Sequence, residues 1–395
     1  MFVILSANAI TNDLFINFGQ DSVNVASANA DANGLGTFEY APPTDYVCLA
    51  ASSLSEPTIS PNSAIQADDY FNTVLYTGDG TSSNAITGVG FQPDFLWIKQ
   101  RSPVVRGHQL MDSVRGASVR LQSHGGTAES ASALVSFDSD GFTVDGTTLN
   151  GTNANGDTFV AWNWKAGGTA VSNTDGSITS QVSAAPDAGF SICTYTGTST
   201  VSESFGHGLN QAPELVITKA RNSSDDWRVH GSVLGTDKFL TLSGTNAVAT
   251  DSSNGGFPDN TDTLVNLGYE STNGTNYVAY CFHSSDTCKV GSYVGNGNAD
   301  GTFVFTGFRP AFILTKESSS TSGWNLRDSV RSPENVVNEV LQADTNGAEM
   351  TSNYDVDFLS NGFKLRTSLS DSNTNGQTYI YLAFAEAPFK YANAR

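Results

Sequence analysis

The chain is poor in charge, in cysteine and in long apolar runs. Charged residues make up 15% of its 395 positions, and its 19 Lys and Arg are scattered against 39 Asp and Glu, for a formal net charge of −20. No basic stripe is present to meet a phosphate backbone or an anionic lipid surface, so nucleic acid is not an expected partner. The four cysteines, Cys48, Cys193, Cys281 and Cys288, are too few for a disulfide scaffold in a chain of this size. Free thiols are expected, with a bridge among the last three as the alternative. No apolar run reaches the roughly 18 residues of a membrane helix, so no membrane insertion is expected. The opening Met1-Phe-Val-Ile-Leu5 lacks a basic n-region and reads as a strand rather than a leader. Helical spacing of apolar residues is also missing, apart from one short candidate, Ser332-Pro-Glu-Asn-Val-Val-Asn-Glu-Val-Leu341.

What the chain has instead is glycine, 38 of them, with short β-favouring runs between polar turns. One stretch is written three times: Gly90-Phe-Gln-Pro-Asp-Phe-Leu-Trp-Ile-Lys99, Gly208-Leu-Asn-Gln-Ala-Pro-Glu-Leu-Val-Ile-Thr-Lys219 and Gly307-Phe-Arg-Pro-Ala-Phe-Ile-Leu-Thr-Lys316. A proline that cannot donate to a ladder, followed by a β-favouring run, reads as turn then strand. Other landmarks recur around it in constant order. Tyr76-Thr-Gly78, Tyr195-Thr-Gly197 and Tyr293-Val-Gly295 lie upstream, while Asn155-Gly156, Asn273-Gly274 and Asn375-Gly376 lie downstream and lead into apolar strands. A period near one hundred residues is too long for a solenoid and fits tandem small domains.

The expected fold is all-β, with tandem antiparallel β-sandwich or jelly-roll domains: three homologous repeats behind an N-terminal β segment. Residues 1–60 form a partial β head and 61–69 a linker. Repeat one spans 70–168, a second linker without a strong strand spans 169–187, repeat two spans 188–288, and repeat three with a C-terminal tail spans 289–395. The long second linker predicts a hinge between repeats one and two, and the short later junction predicts rigid packing of repeats two and three.

Little in the sequence points to catalysis. The histidines at 108, 124, 207, 230 and 283 sit in separate loops with no metal-ligand spacing, and no catalytic residue or metal site is selected. Asp138-Ser-Asp-Gly141 resembles the opening of a calcium loop but lacks the twelfth-position glutamate, so it reads as a β-turn with calcium as the lesser option and no other cofactor. A glycosidase needs two carboxylates across a cleft, and no spacing selects a pair. Leu110-Met-Asp-Ser-Val-Arg115 recurs as Leu326-Arg-Asp-Ser-Val-Arg331, while repeat two keeps only Trp227-Arg-Val229 there. The Asp/Arg pair reads as a structural ion pair ahead of half a binding site. Trp97 and Trp162 are expected to face cores. Trp227 with Arg228, and Trp324 with Arg327, sit among Ser, Asp and Arg and are the candidate binding residues on exposed loops, with burial the competing reading.

Gly90 to Lys99, Asp112-Ser-Val-Arg115, Phe137-Asp-Ser-Asp-Gly-Phe142, Val160-Ala-Trp-Asn-Trp-Lys-Ala-Gly-Gly168 and Pro388-Phe-Lys-Tyr-Ala-Asn-Ala-Arg395 together resemble virion structural proteins of marine tailed phages, of the tail-fibre or adhesin kind. Gly34-Leu-Gly-Thr-Phe-Glu-Tyr-Ala-Pro-Pro43 resembles the end of a SPRY-type sandwich. The resemblance implies a place in the virion, a lectin-like sandwich fold and host attachment without catalysis. The partners it implies are other virion proteins, a host-surface glycan or protein, and further copies of the chain in a homotrimer. A capsid-decorating or tail-scaffolding protein is the alternative, and a polysaccharide depolymerase the lesser one.

Overall fold

The computed structural model describes residues 5–7, 14–16, 26–43, 48, 66–101, 106–149, 151–200, 202–251 and 256–387. The chain is mostly β, built of several antiparallel sheets, and divides into two compact units, 1–63 and 64–395.

In the first unit, strands Leu5–Ala7 and Leu14–Ile16 pair antiparallel. Residues 34–40, within the expected β head, contribute only a single bridge, Asn29 to Phe38. Instead the segment is folded around Asp31, whose carboxylate accepts the backbone N–H groups of Asn33, Leu35 and Cys48 at 2.9, 2.9 and 2.8 Å. These bonds, Cys48 first, hold the Asp31 carboxyl below its usual pKa. Of the last part of the expected head, residues 44–60, only Cys48 lies within the described residues.

The second unit repeats one topology three times. Strands Phe71–Thr77, Thr158–Trp164, Phe95–Gln100 and Gln109–Asp112 lie side by side in that order in repeat one. Phe190–Thr196, Asn276–Phe282, Leu215–Ala220 and Arg228–His230 do so in repeat two, and Cys288–Val294, Thr378–Ala385, Pro310–Glu317 and Trp324–Asp328 in repeat three. A smaller sheet covers one face of each. It is Asn84–Thr87, Gly141–Val144 and Leu134–Asp138 in repeat one, Ser204–Gly206 and Leu264–Asn266 in repeat two, and Phe303–Phe305, Gly362–Leu365 and Val356–Leu359 in repeat three.

The recurring landmarks hold one another. Gly156, Gly274 and Gly376, each in the left-handed region that the Asn-Gly turn requires, donate to the carbonyls of Gly78, Gly197 and Gly295 at 2.8, 3.0 and 2.9 Å. A Cβ on Gly78 would lie 2.2 Å from the Ala154 carbonyl oxygen, so the Tyr-x-Gly glycine exists for this close approach.

The larger sheets are buried on both faces. In Phe95–Gln100, Leu96 and Ile98 face the small sheet and cluster with its Phe142, while Phe95 and Trp97 face the other way. On that other face all three repeats meet in one core. Trp162 and Trp164 of repeat one, Tyr280 and Phe282 of repeat two, and Leu382 and Phe384 of repeat three occupy equivalent registers in it. Rings touch across repeats: Phe95 lies 4.3 Å from Tyr280, Phe71 5.1 Å from Phe384, and Phe282 6.1 Å from Phe384. Each such ring contributes about 1.5–3 kcal/mol by leaving water. A void of about 10 Å³ remains at the convergence, lined only by apolar side chains.

Three expectations change. Residues 169–187 are not a strandless linker, because Val171–Asn173 and Ser180–Ala185 extend the large sheet of repeat two beyond Phe190–Thr196. Repeats one and two do not hinge, since they share the core. The helix expected over 332–341 is absent: Val337 and Val340 form β-bridges to Val356 and Met350. Backbone pairing to neighbouring strands overrides a weak local helix signal.

Candidate functional site

The three repeats are joined in a closed cycle, and two of the candidate binding residues, Trp227 and Trp324, lie at its junctions. Strand pairing makes His108, Trp227 and Trp324 equivalent, each entering the fourth strand of its large sheet. Trp227 Nε1 donates to the Gln122 carbonyl of repeat one at 2.8 Å, and Trp324 Nε1 donates to the Thr241 carbonyl of repeat two at 2.9 Å. His108 Nε2 bonds the Gln342 carbonyl of repeat three at 2.9 Å, while its Nδ1 takes the Trp97 indole proton. Gln122, Thr241 and Gln342 are themselves equivalent, each following the leucine that pairs with the fourth strand. Two, one and three are therefore each bonded to the repeat before them, with one reaching round to three.

Two of the three landmark lysines, Lys99 and Lys316, follow the same cycle. Lys99, Lys219 and Lys316 are fully buried. Lys99 Nζ donates to Gln100 O and, in repeat three, Asn346 O; Lys316 Nζ donates to Glu317 O, Ser320 O and, in repeat two, Thr245 O. Lys219 Nζ ties Ala220 O and Ser223 O. Burial lowers all three ammonium groups to about 8.

Asp112 and Arg115 form a fully buried pair that Glu129 extends, and Tyr280 of repeat two donates its hydroxyl to Asp112 at 2.8 Å. Asp328 and Arg331 repeat the arrangement with Glu349. Burial opposes the Arg115 charge, and Asp112, Tyr280 and Glu129 more than offset it, so its pKa stands above the usual value. In repeat two the register places Gly231-Ser-Val-Leu234 at this position, with Leu234 packed on the central core. The motif survives there in apolar form, invisible to a search for Asp and Arg.

The expectation of exposed binding rings is overturned: Trp227 and Trp324 are 0% and 1% exposed. Their polar sequence neighbours do not reveal that another repeat covers them. Arg327 is also buried, inside the sandwich of repeat three, where it donates to Tyr354 O, Thr315 Oγ1 and Ser372 Oγ. Burial lowers its pKa to about 10.

Repeat two has a hole in its polar bonding at the same place. His230, Thr218 and Glu270 stand where Arg327, Thr315 and Ser372 stand in repeat three, because Tyr195 and Tyr293 donate to the carbonyls of Glu270 and Ser372 alike. His230 Nε2, Thr218 Oγ1 and both Glu270 carboxylate oxygens have no hydrogen-bond partner among the described residues. Arg228, half-buried between the rings of Phe239 and Tyr269, comes no closer than 3.9 Å to Glu270. Burial raises the Glu270 carboxyl to about 8 and lowers His230 to about 3.

Asp138 and Asp140 are spent on the chain's own donors. Asp138 accepts from Ser136 and Thr143, and Asp140 from the backbone of Gly88 and Gly90. The segment is the turn of a hairpin. Among the described residues no group of three or more His, Cys, Asp or Glu side chains could hold a metal ion.

At the surface of repeat two, a recess of about 410 Å³ is lined chiefly by Gln181, Thr194, Thr196, Thr198, Asn276 and Arg221. Arg221 is already paired with Glu129 at 2.8 Å. The lining offers amide and hydroxyl groups and holds no carboxylate. A third of the lining, Ile178, Thr179 and Gln181, comes from the cover segment expected as a linker.

A family described as a domain of unknown function, DUF7483, matches residues 66–388. The chain belongs to the DUF7483 family. The match begins where the second compact unit begins and spans all three repeats, so the DUF7483 domain is the whole three-sandwich ring. No curated protein and no solved structure matches the chain.

Proposed function

We propose that the chain is a structural protein of a tailed-phage particle, a tail-fibre or adhesin component that binds the host surface without catalysis. The observation that carries this reading is the pairing of a closed, rigid ring with a recess lined mainly by amide and hydroxyl groups, its one cation already paired with Glu129. A hydrolase of polysaccharides uses two carboxylates flanking the scissile bond. The recess beside Gln181 and Asn276 has none in its lining, whereas amides and hydroxyls on a rigid scaffold suit recognition. The resemblance of the repeat motifs to marine phage virion proteins supplies the setting, with other virion proteins and further copies as partners.

A second reading, capsid decoration, draws on the pseudo-threefold cycle, which would match a threefold position of a shell. Antibody labelling of intact particles under electron microscopy separates the two. Label at the distal tail is the expected result. Label over the head shell would sink the attachment reading in favour of decoration, and unlabelled particles would sink both.

A further inference from the structure

Repeat three exposes two phenyl rings that the fold does not require. Phe303 and Phe305 lie on the outer face of the edge strand Phe303–Phe305, 44% and 63% exposed, while Val304 between them faces the interior. Pairing makes Ala85 and Thr87 their equivalents in repeat one, and Ser204 and Gly206 in repeat two. In repeat two this face is covered by the chain itself: Ile178 bridges Phe205, and a Cβ on Gly206 would lie 1.7 Å from Asn173 Oδ1. A phenyl ring could not enter there. Three copies of one topology thus carry small residues where the face is covered or bare, and two rings only in repeat three.

The rest of this face is polar at one side. Across the three strands, Phe303 stands opposite Lys364 and Lys364 opposite Asp357; in the next row Phe305 stands opposite Gly362 and Gly362 opposite Leu359. Gly362 leaves room for the Phe303 ring, whose Cζ would lie 3.1 Å from a Cβ at that position. Lys364 bonds Asp300 at 2.6 Å, and Arg366 pairs with Asp357 at 3.4 Å. An apolar floor with charged hydrogen-bond formers along one side matches a hexose, whose C–H face stacks on a ring while its hydroxyls need donors and acceptors. Residues two apart on a strand are about 7 Å apart, so neighbouring sugars of an extended chain can each cover one ring. A protein partner fits less well, since Lys and Asp are depleted from the cores of protein interfaces.

We propose that this face of repeat three binds an uncharged hexose-based glycan, Phe303 and Phe305 supplying the stacking floor and Lys364 and Asp357 the hydroxyl contacts. The inference rests on the attachment reading and names the class of ligand. Balanced cations and carboxylates beside the rings favour a neutral sugar over an acidic one, as does the net charge of −20.

The test uses the full chain on an array of neutral hexose oligosaccharides, followed by calorimetry on the best binder. Phe303→Ala with Phe305→Thr introduces the residues that repeat one already carries. The variant is expected to lose at least tenfold in affinity with an unchanged unfolding midpoint, and Lys364→Met to lose several-fold. Unchanged affinity in the double variant would overturn the proposal, as would failure of the unaltered chain to bind any neutral glycan. A dimer in light scattering that the double variant converts to monomer would overturn it too, by showing a second copy on the rings. Tail labelling without glycan binding would refute this site alone. Ring-dependent glycan binding with label on the head shell would uphold the site and refute tail attachment.

Discussion

Trp162 Nε1 of repeat one donates to Asp328 Oδ2 of repeat three at 3.0 Å, joining two residues that only a closed ring brings together. The guanidinium of Arg331, paired with the same carboxylate, lies 5.3 Å from the Trp162 ring centre. Tyr280 and Asp112 repeat this bond between repeats two and one. At the remaining junction the position of the arginine is held by Leu234.

That third junction shows how the ion pairs should respond to substitution. Removing one partner of a buried pair strands the other, which costs about 3–5 kcal/mol, whereas replacing both by apolar groups can approach neutrality. Asp112→Ala should therefore destabilise strongly, and Asp112→Ala combined with Arg115→Leu should recover at least half of the loss. Denaturant midpoints of the three proteins measure this. A double variant less stable than Asp112→Ala would contradict it.

The cyclic ring donors make a second prediction. Trp324→Phe keeps most of the apolar volume but removes the indole bond to the Thr241 carbonyl, which retains the Gly244 N–H at 3.3 Å, at a cost of about 0.5–1.5 kcal/mol. Trp324→Ala adds a cavity and should cost about 3–5 kcal/mol. The same ranking should hold at Trp227. Thermal unfolding tests it, and an alanine variant as stable as the parent would show the ring to be at the surface.

Glu270 predicts a pH dependence of definite sign. Its folded pKa of about 8 stands above the ordinary 4.5, so between these values the folded chain holds a proton that the unfolded chain releases. Its contribution is fully present below about pH 4.5 and is lost as pH rises towards 8, a change on the order of 3–5 kcal/mol. Glu270→Gln should match the parent near pH 5 and exceed it near pH 8.5. Parallel stability profiles for the two proteins would contradict this.

The sequence carried the repeats and their strands well, because proline, glycine and lysine mark turns whose geometry admits few other residues. The shared core was harder to read. A run such as Phe95-Leu-Trp-Ile98 is buried on both faces, and an unbroken apolar run does not say what covers each side. Trp227 and Trp324 were misplaced because their surroundings come from Gln122 and Thr241, far away in the chain, rather than from adjacent Ser and Asp. The cover strands at 171–173 and 180–185 are small and polar, and their order comes from pairing with Phe190–Thr196 rather than from their own propensity.

That the three sandwiches form one cooperative body is tested most directly by native-state hydrogen exchange on the full chain with Asp328→Ala. This substitution touches only repeats one and three. The account predicts that the slowest amides of Leu215–Ala220 and Asn276–Phe282 in repeat two lose as much protection as those of Pro310–Glu317 in repeat three. Unchanged protection in repeat two, with the loss confined to its neighbours, would show three independent domains and contradict the closed ring.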